Sequence, residues 1–157
     1  MQKRHKTLEN VVGLAAAILL LTIVPGHEGK KNVGYMDPVG IATKCFGDTA
    51  NVVVGQKYSD AECLASLNKQ LILHAEGVLR CTPGLRGRVN QLSAATSFAY
   101  NIGVQGYCSS TVAKRFNAGD LRGGCAGMSA WTKAKGKVLP GLVRRRAAER
   151  TMCETGL

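Results

Sequence analysis

Hydrophobic and polar positions divide the chain into three stretches of different pattern. From Val11 to Val24 the residues are apolar almost without interruption, a run with no polar face. From Val33 to Tyr58 the sequence is rich in β-branched residues, with Gly34, Gly40, Gly47 and Gly55 as turn points, which predicts a small antiparallel sheet. Beyond that, helical spacing takes over. Ser59-Asp60-Ala61-Glu62 is a capping box, after which Cys63, Leu64, Leu67, Leu71 and Val78 recur as one helical stripe. Thr82-Pro83-Gly84 interrupts the pattern; the stretch from Arg86 to Ile102 then places Val89, Leu92, Ala95, Ala99 and Ile102 on one side, with Gly103 as a stop. This stretch predicts a central buried helix. Shorter helices are expected over residues 110–118, 120–131 and 140–153, the last begun by Pro140. The expectation is an α+β chain with a small sheet lobe, a larger helical lobe and a cleft between them, preceded by an N-terminal apolar helix. No internal repeat or low-complexity tract interrupts it.

The apolar run follows Lys3, Arg4, His5 and Lys6, and a basic stretch before such a run marks an export signal whose charges stay cytoplasmic. Its 14 residues would span roughly 21 Å as a helix, against a hydrocarbon thickness of ~30 Å. Four readings compete: a cleaved signal peptide, a lipoprotein anchor, a buried core helix and a signal anchor that later lets go. Cleavage at Val24-Pro25-Gly26 would leave Glu28 as the second residue of a frayed terminus. A lipoprotein would need a cysteine near the end of the run, and none precedes Cys45. The releasable anchor fits best, because Gly13, Ala15 to Ala17 and Thr22 lower the hydrophobicity. The chain is accordingly divided into a signal anchor over 1–26, with a basic n-region over 1–10 and an apolar segment over 11–26, and a catalytic domain over 27–157.

Charge and cysteines narrow the setting. Lys and Arg number 21 against 10 Asp and Glu, a net charge of +11, and the excess falls late, at Lys133, Lys135, Lys137, Arg144, Arg145, Arg146 and Arg150. Such a field attracts polyanions. With eight aromatics and no recognition-helix or zinc-finger spacing, nucleic acid is not the expected partner, and the anionic bacterial wall fits an exported chain better. Cys45, Cys63, Cys81, Cys108, Cys125 and Cys153 form an even set without a CxxC, which in an exported chain reads as three disulfides rather than a metal site. Sequential pairing, 45 with 63, 81 with 108 and 125 with 153, joins neighbouring elements across modest loops.

The candidate chemistry is the pattern E-x8-D-x5-T formed by Glu28, Asp37 and Thr43. Cleaving a glycosidic bond takes one acid to protonate the leaving oxygen and a second carboxylate to support a water or a covalent sugar. Thr43 would orient the water. Tyr100, Asn101 and Trp131 are candidates to line a sugar groove. His27-Glu28 begins like a zinc-protease helix, but Lys31 stands where the second histidine is required. His74 reads as a half-buried helix residue. Arg144 and Arg145 are candidates to pair with Glu28 across the lobes, although a surface ion pair is the expectation there. No metal and no cofactor are expected.

Several stretches together give these residues a family setting: HEG at 27–29 with YMDPVGIATKCFGDT at 35–49, SFAYNIG at 97–103, Asn117 to Leu121 ahead of Trp131, and LPGLVRRRAAER at 139–150. They resemble the phage endolysins of glycoside hydrolase family 24, from Glu28 onward, and the apolar run resembles the signal-anchor-release segments of some lambdoid members. The resemblance implies a lysozyme-like fold and hydrolysis of the β-1,4 bond between N-acetylmuramic acid and N-acetylglucosamine. It also implies Glu28 as general acid, with Asp37 and Thr43 positioning or activating water. The expected course is export by the host secretion machinery, tethering in the host inner membrane with the catalytic domain periplasmic, then release as a monomer that lyses the cell. Two alternatives stay open: a lytic transglycosylase, and a cationic protein that disrupts membranes without catalysis.

Overall fold

In the computed structural model, which describes residues 6–157, the elements follow in the order α1 (Leu8–Val12), α2 (Leu14–Glu28), β1 (Lys31–Met36), β2 (Ala42–Cys45), α3 (Asp60–Cys81), α4 (Val89–Ile102), α5 (Val104–Ser109), α6 (Thr111–Asn117), α7 (Leu121–Gly127), β3 (Lys133–Ala134), β4 (Lys137–Val138) and α8 (Pro140–Glu154). The n-region residues Lys3, Arg4 and His5 lie outside the described residues.

The core is organised round α4. Every residue from Gln91 to Ala99 is buried, and α2, α3 and α8 all pack on this helix. Small residues make that possible: Ser93, Ala94, Ala95, Thr96, Ser97 and Ala99 let neighbours approach from several sides, as expected of a helix buried all round. The apolar run is one of those neighbours. It breaks at Gly13, and Ala16, Leu20 and Val24 of α2 are fully buried while Leu14 and Ile18 on the opposite side are 59% and 57% exposed. The run, apolar all round in sequence, is therefore one-sided in its burial, and its partners choose the buried side. Among the described residues no helix is long and apolar enough to cross a membrane.

The sheet lobe is β1 against β2, antiparallel, with Tyr35 opposite Thr43 and Met36 opposite Ala42. Residues 52–58 run alongside as an irregular third strand: Val33 bridges Lys57, and Gly34 gives its N–H to Gln56 O. A Cβ on Gly34 would fall 2.2 Å from Val53 O, so this close approach requires glycine. Ser59 and Glu62 form the anticipated reciprocal cap of α3, and Gly103 ends α4.

The structure differs from the sequence reading in four places. Helix α4 starts at Val89 rather than Arg86, because Pro83–Leu85 forms a 3-10 turn and Gly87 is left-handed (φ +79°). The helix expected over 120–131 yields to a 3-10 turn at Met128–Ala130. Neither α5 nor the β3–β4 hairpin was anticipated; the hairpin is closed by Lys135 and Gly136, both at positive φ, as a two-residue primed turn requires. Disulfides join Cys45 to Cys63, Cys81 to Cys108 and Cys125 to Cys153, the sequential pairing. They tie β2 to α3, α3 to α5, and α7 to α8.

Candidate active site

Glu28 is the last residue of α2, and Gly29 caps the helix behind it. Its carboxylate is therefore carried on the end of the apolar helix α2, aimed at the joint between the lobes. Arg145 Nη1 donates to Glu28 Oε1, and the two side chains are only 6% and 17% exposed. This corrects the expected surface ion pair: α8 turns Arg145 inward against α4, and burial of α2 brings Glu28 to it. Glu28 Oε2 faces the sheet lobe at Gly47, where an added Cβ would lie 3.1 Å away. Gly47 is left-handed (φ +81°), so both space and backbone favour glycine there.

Asp37 stands in the β1–β2 turn. Its Oδ1 accepts from the backbone N–H groups of Val39 (2.9 Å) and Ile41 (2.8 Å), which fixes both carboxylate and turn. Thr43 lies in β2, buried, with its hydroxyl donating to Ile41 O at 3.0 Å. The sheet register holds these two together. The same ribbon runs on to Phe46-Gly47, so the structure brings Glu28 against Gly47, two residues beyond the strand that carries Thr43, while the hydrogen bonds of Asp37 and Thr43 stay within the sheet lobe.

An open cavity of about 660 Å³ borders Glu28, lined also by His27, Asn101, Leu139, Arg144 and Arg145. Asp37, Thr43, Tyr100 and Trp131 do not line it. Tyr100 instead braces the lobes, its hydroxyl donating to Phe46 O at 2.8 Å. Burial, with the charges of Glu28 and Asp48, pushes its phenol well above the ordinary value, so it stays neutral. Trp131 sets its ring edgewise to Phe98, centroids 5.7 Å apart, and remains 37% exposed. His74 is half-buried on α3, as expected: Nδ1 lies 2.6 Å from Gln70 O, the ring rests on Tyr100, and burial lowers its pKa. His27 is lowered too, by burial first and then by Arg145 and Arg146.

Two buried acids escaped the sequence reading. Asp48 accepts from Ser66 Oγ (2.5 Å), Gln70 Nε2 (3.2 Å) and Ala50 N (2.9 Å), binding the sheet lobe to α3. Glu149, fully buried in α8, accepts from Arg145 Nε (3.0 Å), Arg146 Nη2 (3.1 Å) and Ser97 Oγ (2.7 Å). Its three- and four-residue spacing from the two arginines was the available signal; the basic surplus of α8 concealed it. Among the described residues no cluster of His, Cys, Asp and Glu has metal-holding geometry.

A sheet lobe joined to a helical lobe built round one buried helix, with a carboxylate at the joint, has the architecture of a lysozyme-like glycoside hydrolase. The phage lysozyme family model matches residues 25–149, and the chain belongs to that family. It is similar to a SAR-endolysin of Bacteriophage PS119, 36% identical over 98% of this chain and 95% of that one. Among solved structures, the muramidase domain of SpmX from Asticaccaulis excentricus superposes with a TM-score of 0.79 at 28% identity, covering 97% of this chain and 99% of that one. The active form of P1 phage endolysin Lyz gives a TM-score of 0.79 at 25% identity, over 93% and 86% of the two chains. The chain is thus a muramidase of the endolysin type, an enzyme that hydrolyses bacterial peptidoglycan and brings about host lysis.

Proposed function

We propose that the enzyme cuts the β-1,4 bond between N-acetylmuramic acid and N-acetylglucosamine, with Glu28 as general acid, Asp37 as base or electrostatic stabiliser and Thr43 holding the water. The observation that carries this reading is the position of Glu28, half-desolvated at the joint between the lobes and open to a cavity of about 660 Å³. A protonated carboxyl there delivers its proton to the leaving oxygen, and a second carboxylate on the sheet lobe attends the opposite side of the sugar ring. Asn101 borders the cavity and contacts the glycan.

The test uses purified peptidoglycan. Glu28→Gln is nearly isosteric, so the variant folds and loses lysis, while the wild type releases fragments with reducing muramic ends. Fragments ending in 1,6-anhydro sugars would identify a lytic transglycosylase instead. Lysis that persists with Glu28 and Asp37 both replaced would identify a membrane-disrupting protein.

Residues 1–26 hold the newly exported chain in the host inner membrane, N-terminus cytoplasmic and catalytic domain periplasmic, after passage through the host secretion machinery. In that state the acid is drawn against the bilayer. Release delivers α2 to the core and Glu28 to Arg145, and the protein then works as a periplasmic monomer. Fractionation before and after an uncoupler tests this: the protein moves from the membrane to the soluble fraction as the potential that holds its basic N-terminus collapses. Lysis with all of the protein still in the pellet would refute it.

A further inference from the structure

We infer that Glu149 is a positioning residue for catalysis, clamping Arg145 so that a single prong engages Glu28 and offsetting the charge of the Arg145–Arg146 pair beside the acid. The inference rests on Glu28 as the general acid.

The clamp is geometric. Arg145 uses Nε on Glu149 Oε1 (3.0 Å) and Nη2 on Ser97 O (3.0 Å), and only Nη1 remains for Glu28 Oε1. Ser97 Oγ, 2.7 Å from the same Glu149 oxygen, fixes the clamp to α4. A guanidinium free to turn would close on Glu28 as a two-pronged fork, the arrangement that most favours the ionised carboxylate. Held on two sides, it engages a single oxygen. The other oxygen points to Gly47, where the missing side chain leaves room for the group that receives the proton.

The charge argument is a count. Arg145 and Arg146 are both buried, at 5% and 1% exposure, and stand against two acids, Glu28 and Glu149. Once Glu28 is protonated for catalysis, Glu149 is the remaining anion, and without it two buried cations would act on the acid and favour its ionised form. Arg146 is tied to Glu149 as well, through Nη2 (3.1 Å) and with Nε 2.8 Å from Oε2 but off the line of its N–H, while its guanidinium lies over the Phe98 ring at 4.8 Å. Arg144 lines the same cavity as an exposed cation. His27 on its own helix and His74 on α3 are lowered, Tyr100 on α4 is raised, and the sheet lobe presents backbone at Gly47 with Asp48 engaged by Lys44 behind it. Arg145, Arg146 and Glu149 are thus the buried charges beside the acid, and burial raises the pKa of Glu149 itself, so the offset is present only above the pH at which Glu149 ionises.

The experiment is the pH profile of kcat/KM on purified peptidoglycan for the wild type, Glu149→Gln, Arg146→Gln and the double variant. Glu149→Gln is expected to move the alkaline limb down by about one pH unit, as one uncompensated charge does. Arg146→Gln moves it up, and the double variant falls between the two. A purely structural role would lower activity at every pH without this opposition of sign. An unmoved limb in folded Glu149→Gln, or shifts of the same sign in both single variants, overturns the inference. Carbon-13 carboxyl shifts of the wild-type enzyme test it without any substitution: Glu149 must be ionised across the active range, and a protonated Glu149 in active enzyme overturns it too. Failure here with Glu28→Gln inactive leaves the general-acid assignment standing, whereas an active Glu28→Gln removes that assignment itself.

Discussion

At Gly47 a single missing side chain serves two ends: the backbone sits at φ +81°, and Glu28 Oε2 lies 3.1 Å from where a Cβ would be. Gly47→Ala is therefore expected to cost about 1 kcal/mol of stability from the left-handed backbone, and to depress lysis more than that loss explains. Melting and turbidity assays on the same preparation check it; full activity in the variant would show that nothing needs to pass Oε2. The E-x8-D-x5-T pattern stood out in the sequence because acid chemistry restricts residue type and spacing. The choice between Arg144 and Arg145 as partner of Glu28, and the burial of that pair, did not: the partner is 117 positions away, and one arginine in a run of three carries no mark of which will turn inward. Glu149 was hidden similarly, since an acid among arginines on a helix reads as a solvated pair until α4 is seen covering it.

At the scale of elements, α2 tests the account most sharply. Leu20 is fully buried and Ile18 is 57% exposed on the same helix. Leu20→Ala should destabilise the soluble enzyme by about 2–5 kcal/mol, and Ile18→Ala by less than about 0.5 kcal/mol, read from denaturant midpoints. Equal, small effects would mean that α2 is not core. Sequence gave good access to elements whose ends are set locally: the Ser59–Glu62 cap, Gly103 after α4 and Pro140 opening α8 are each a matter of one hydrogen bond or one ring. It gave poor access to α2, because a helix apolar on all sides contains no record of its inward face. The β3–β4 hairpin, two residues a side, is too short for alternation to register.

The histidines link these elements to pH. His27 and His74 both have lowered pKa values in the fold, so they are neutral there, while the unfolded chain takes up protons near the ordinary value of about 6.5. Below that value the unfolded state binds more protons, so stability falls on acidification and levels off beneath the folded-state values. Melting temperatures from pH 8 to pH 5 should show the decline, and His74→Gln should flatten it. An identical slope in the variant would contradict the assignment.

For the whole molecule, three disulfides and a borrowed helix complete a chain of 157 residues. The Cys125–Cys153 bridge ties α7 to α8, which carries Arg145, so replacing both cysteines by serine should cost about 3 kcal/mol and loosen the arginine, lowering activity before the fold is lost. The two lobes, their order and the cysteine pairing could be anticipated from pattern and spacing. The packing of α2 on the core could not, since it depends on surfaces far apart in sequence. The central claim is that the segment carrying Glu28 is integral to the active enzyme. Amide hydrogen exchange over residues 16–24 tests it most directly: the account predicts protection matching that of α4, and rapid, unprotected exchange in a fully active preparation would contradict it.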